Sequence, residues 1–135
     1  YFRPDAVFVP ICVSAAAGFA SLESLGRALA GAVRADGREV LLVASTDMSH
    51  YVSRKTAETK DMRAVRKVLD LDPRGLFDTV TAEDITMCGF QPTTAALVAA
   101  IGLGATGAEL VRYGTSGETS GDYDRVVGYA GLRIA

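Results

Sequence analysis

Tryptophan is absent from this sequence, histidine occurs once and cysteine only twice. One histidine and two cysteines, with no C-x-x-C pair, do not supply the ligand set of a closed zinc site. Basic charge is also scarce: 14 Lys plus Arg stand against 16 Asp plus Glu, and no cluster is denser than "RAVRK" at 63–67. A chain without a basic stripe lacks the footprint for tracking a phosphate backbone, so nucleic acid is not an expected partner. Long apolar runs are missing too. The least polar stretch, Ala95 to Ala108, is interrupted by Gly102, Gly104 and Gly107, and it falls short of the ~20 apolar residues that cross a bilayer. No membrane partner is expected. The glycine-rich "TSGETSGD" at 115–122 has no lysine behind it, which excludes a nucleoside-triphosphate phosphate loop. The opening "YFRPDA" has neither an initiator methionine nor a signal pattern and reads as a cut into a longer chain.

What is present suits one globular domain over 1–135, since 135 residues at 49% hydrophobic composition support a single core. "VFVPICV" (7–13) and "EVLLVA" (39–44) are continuous apolar runs of the kind that form strands covered on both faces. Pro10, which has no N–H, implies a bulge or an unpaired position in the first. Between them Leu22, Leu25, Leu29, Ala32 and Val33 follow helical spacing, with Ser21 as cap and Gly37 as stop. Strand, helix, strand over this length is a βαβ unit with parallel strands. Further helices are expected at 55–70, with Met62, Val65, Val68 and Leu69 on one face, at about 73–80, and at 92–102. "AELVRYGT" and "YDRVVGYAGLRI" are strand candidates whose short connection suits an antiparallel pair. The expected class is α/β, with helices layered around a mixed, partly parallel sheet.

The single histidine, His50, lies in "STDMSHY" (45–51), directly behind the apolar run 39–44. In open parallel sheets, ligands bind beyond the carboxyl ends of strands. Asp47 is close enough to hold one imidazole nitrogen and leave the other free as base, acid or metal ligand. The competing reading has Asp47 making an Asx-turn and His50 capping the next helix. Cys88, in the turn "MCGFQP", precedes an apolar helix whose N-terminus favours thiolate, and hence a nucleophile or metal ligand; a buried packing role is the alternative. Cys12 lies in a segment that reads as a buried strand, so both thiols are expected reduced, in a cytoplasmic protein. The hydroxyls of 115–122, Ser116 among them, and Asp122 line a pocket if that loop folds over the same sheet edge as His50.

Taken in order, "STDMSHY", "LDPRGLFDTV", "MCGFQP" and "YGTSGETSGDYDRVVGYAG" resemble the C-terminal half of the Memo family, whose bacterial members are called AmmeMemoRadiSam system protein B. The resemblance covers nearly the whole chain from Ala6 onward. It implies an α/β fold related to class III extradiol dioxygenases, non-haem iron enzymes that open catechol rings. It also implies that the chain is an incomplete half of a larger α/β domain, whose N-terminal half is the missing partner. By that resemblance Cys88 matches a metal ligand where the dioxygenases have a carboxylate. His50 matches their acid/base histidine, and Asp47 lies beside it. Two further ligands, both histidines, belong to the N-terminal half. The chain alone is therefore expected to hold one ligand and no bound metal. Iron is the metal the resemblance implies for the full-length protein, with copper or zinc as alternatives because thiolate is a soft ligand. Activity does not transfer with the fold. The functions in view are a metal-dependent redox enzyme acting on an unknown small molecule, and a non-catalytic metal-binding or peptide-binding protein.

Overall fold

A computed structural model describes residues 6–135; the first five residues of the opening stretch lie outside the described residues. In chain order the elements are α1 (Phe19–Asp36), β1 (His50–Val52), α2 (Arg54–Leu69), α3 (Pro73–Ala82), α4 (Phe90–Leu103), β2 (Ala108–Thr115), α5 (Gly117–Ser120) and β3 (Val126–Ile134). The strands form one antiparallel sheet in the order β1-β3-β2. The fold is α/β.

The helices follow from their side-chain spacing and caps. α1 buries Leu22, Gly26 and Ala30, successive residues four apart on one face, and stops where Gly37 takes the left-handed conformation. Its cap position is Gly18, so Ser21 lies inside the first turn and does not cap it. α1 packs on α4 through a notch: a Cβ on Gly26 would come within 2.5 Å of the Ala95 carbonyl oxygen, so only glycine lets the two backbones approach. Ser53 caps α2 by accepting from the Thr56 N–H, and Asp72 caps α3 by accepting from the Gly75 N–H.

The core lies between the sheet and α2, α3 and α4. Ala64, Val65, Val68, Leu76, Val80 and Leu97 meet Met48, Ile85 and Met87 from the connections, and Leu110, Ala130, Leu132 and Ile134 close the sheet side. The buried face of α2 is Ala57, Asp61, Ala64, Val65 and Val68. Met62, expected on that face, is 36% exposed. Asp61, fully buried, binds three elements together. One carboxylate oxygen accepts from the Ser49 N–H at 2.9 Å and the other from the Tyr113 hydroxyl at 2.7 Å. Burial, and then this bond to Asp61, push the Tyr113 phenol well above the usual tyrosine range. A Cβ on Gly128 of β3 would run into the same carboxylate, which makes that position glycine-only.

The parallel part of the expected sheet is not formed. Residues 7–13 and 39–44 make no strand pairing among the described residues, and their side chains stand in solvent: Phe8 is 87% exposed and Leu41 85%. Cys12 is exposed, and both cysteines are free thiols. A continuous apolar run marks a segment suited to burial on both faces, but a strand exists only beside another strand that takes up its N–H and C=O groups. The expected antiparallel pair does form, from Ala108↔Ile134 to Thr115↔Gly128, with a register shift between Leu110 and Arg112. No helix among the described residues is long and apolar enough to cross a membrane.

Candidate metal centre

The "STDMSHY" segment runs along β3 and carries Asp47 and His50 to the edge of the sheet. The Met48 N–H donates to the Gly128 carbonyl, and the Gly128 N–H donates to that of Ser49. With Ser49 also held by Asp61, the backbone between the two candidate residues is fixed. The His50 N–H donates to the Thr86 hydroxyl at 2.7 Å, tying the segment to the loop that leads into Cys88.

Cys88 arrives from a position 41 residues downstream, in the turn that opens α4. The Asp47 N–H donates to its sulfur at 3.3 Å. Thr46 completes the junction: its hydroxyl accepts from the Gly89 N–H at 2.8 Å and lies 3.9 Å from the Cys88 sulfur. The approach is close because residue 89 is glycine. A Cβ there would meet the Thr46 Cβ at 2.6 Å and the Ser45 carbonyl oxygen at 2.7 Å. Gly89→Ala is therefore expected to force these segments apart and cost ~1–3 kcal/mol, as overpacking does. Urea denaturation of the variant measures this, and a midpoint equal to wild type would show that the junction is not tight.

These contacts place one donor atom from each of Asp47, His50 and Cys88 within 4.8 Å of one another. The His50 Nε2 and Asp47 Oδ2 are 3.6 Å apart, too far for a good hydrogen bond. In a tetrahedral site with bonds of ~2.0–2.3 Å, neighbouring donors lie roughly 3.3–3.8 Å apart, so the observed spacing fits two donors facing one ion. Thiolate, imidazole and carboxylate together are a donor set that Zn, Fe and Cu all accept. The side chain of His50 is 25% exposed and that of Asp47 48%, so the cluster opens to solvent on one side.

Ser116 and Asp122 occupy different surroundings. The Ser116 hydroxyl accepts from the Val127 N–H at 3.0 Å, and Asp122 folds its own turn by accepting from the N–H groups of Asp124 and Arg125. An open depression of about 460 Å³ lies beside them, lined by Thr46, Arg112, Thr115, Glu118, Thr119 and Tyr129 among others. It reaches the cluster through Thr46. Sequence reasoning missed Thr46, Asp61 and Thr86, all of which hold the site. An acid at a helix position flanked by alanines four residues before and three after was the one available signal, for Asp61.

Comparison with known proteins matches residues 1–133 to the family model described as Memo-like protein. A MEMO1 family protein of Methanothermobacter thermautotrophicus is 37% identical over 132 residues, which are 98% of this chain and 47% of that protein. MEMO1 family proteins of Methanococcoides burtonii and Pyrobaculum arsenaticum are each 40% identical, over 98% of this chain and 50% and 47% of their own lengths. The chain spans about half the length of these curated relatives.

Proposed function

The chain belongs to the Memo family, and from that premise we propose that it supplies the thiolate side of a non-haem metal site in a metal-dependent redox enzyme. The observation that carries this reading is the convergence of Asp47, His50 and Cys88 donor atoms within 4.8 Å. Cys88 is the ligand, and the Asp47 N–H donating to its sulfur holds that atom at the site. His50 takes or returns a proton at Nε2 beside the ion. The Asp47 carboxylate, 3.6 Å from that nitrogen, stabilises the imidazolium when it forms. Iron held there supplies oxygen chemistry of the kind class III extradiol dioxygenases use, while copper or zinc are the alternatives that soft sulfur favours. In this reading the protein is cytoplasmic, where thiols stay reduced. The uncovered apolar segments 7–13 and 39–44 pair with strands of the N-terminal half of a Memo-like domain, which also brings the remaining ligands.

A second reading, a binding protein without turnover, is favoured by the open depression beside β2 and β3, which has room for a peptide segment. Oxygen consumption by the iron-loaded full-length protein over a panel of catechols separates the two. Uptake that depends on substrate supports the enzyme. No uptake over the panel, with metal still tightly bound, moves the function to the binding protein.

A further inference from the structure

Tyr51 follows His50 directly and is the residue that breaks the ladder between β1 and β3. His50 pairs with Val127 and Val52 with Val126, so Tyr51 is the extra residue of a bulge. Its φ is 57°, in the left-handed region that glycine enters freely and a bulky side chain enters only under strain. Bulges beside functional sites re-aim a side chain. Here the re-aimed ring is 71% exposed, so packing within the described residues does not account for it. The ring lies 5.9 Å from that of His50, tilted by 39°, and the Arg125 guanidinium stands 5.8 Å from its centre. A large ring held in a conformation suited to glycine, uncovered and next to the one histidine, is positioned to touch something other than this chain.

We propose that the bulge presents Tyr51 as a ligand contact: its ring stacks on the flat part of an aromatic acid, whose carboxylate meets the Arg125 guanidinium, at the His50 edge of the site. This rests on the metal-site reading for what the ligand is doing there, but not for its binding. Planarity is selected by the ring and negative charge by the guanidinium.

The test is made on the full-length protein, where the His50 imidazole NMR signals are identified by their absence from the spectrum of His50→Ala. Benzoate titrated into the full-length protein is expected to move the His50 signals saturably, with cyclohexanecarboxylate, equal in charge but not flat, binding several-fold more weakly. Tyr51→Gly should weaken benzoate by about 5- to 10-fold, the range of an aromatic contact, and erase the preference. It should not lower the melting temperature, because glycine relieves the left-handed strain. Tyr51→Phe should keep the preference, and Arg125→Gln should weaken both acids. Equal benzoate affinity in wild type and Tyr51→Gly, or no saturable shift of His50, would overturn the proposal. Zinc titration of the same samples keeps the two readings apart. Metal uptake without benzoate selection removes only the Tyr51 proposal, and benzoate selection without metal uptake removes only the metal site.

Discussion

In the full-length protein, Cys88→Ala is expected to weaken zinc or cobalt binding by at least about 100-fold, beyond the 10–100-fold range for loss of an outer partner, whereas His50→Ala should fall near the lower end of that range. The asymmetry follows from the roles proposed. Sulfur is the strongest donor of the three for these ions, and the backbone on both sides of the junction delivers it: the Asp47 N–H donates to the sulfur, and the Gly89 N–H is held by Thr46. Removing it leaves an imidazole and a carboxylate at an edge open to solvent. Removing His50 leaves the thiolate and Asp47 in place and deletes the group that moves protons, so any turnover should be lost while metal is retained. Binding should weaken as the pH falls, since protons compete with metal for the thiolate ligand. Calorimetric titration of the two variants decides the matter, and equal losses would place His50 in the coordination sphere itself.

The second large effect concerns association. Expressed as residues 1–135, the chain is expected to form oligomers or aggregates at micromolar concentration. Val7, Phe8, Val9, Leu41 and Val43 are each more than 75% exposed, on two segments that have no strand beside them among the described residues. Covering each large side chain is worth roughly 1.5–3 kcal/mol, and unpaired apolar segments are templates for pairing with another chain. Light scattering should report this, and introducing charge by Phe8→Lys together with Leu41→Lys should shift the population toward monomer. A wild-type chain that stays monomeric at high concentration would refute the expectation and show that these segments are tolerated in water.

Some of this architecture could be read without coordinates. The apolar spacing from Leu22 onward, the stop at Gly37, Pro73 at the start of α3 and the glycines after α4 correspond to helices within a few residues of the expected bounds. The hairpin of β2 and β3 was equally legible, because its strands are close in sequence and joined by turn residues. The candidate residues Asp47, His50 and Cys88 stood out by their scarcity and by their motifs. The expectation failed where the signal was purely compositional. "VFVPICV" and "EVLLVA" are apolar enough for strands, yet apolarity reports the environment a segment is suited to, not whether a neighbour is there.

Helix and hairpin are determined within the sequence because capping, side-chain period and turn chemistry act over a few residues. The chemical identity of the candidate donors is determined there too, since one histidine and one cysteine in motif leave little choice. What only the tertiary structure decided is that these donors meet. Cys88 reaches Asp47 across 41 residues because Gly89 has no side chain to block Thr46. The Asp47–His50 segment is held in place because Asp61, buried on α2, takes the Ser49 N–H. Tyr51 faces solvent because a bulge turned it there. Each of these is a long-range contact whose energy depends on both partners being in place at once. No local pattern encodes that, and the fold alone supplies it.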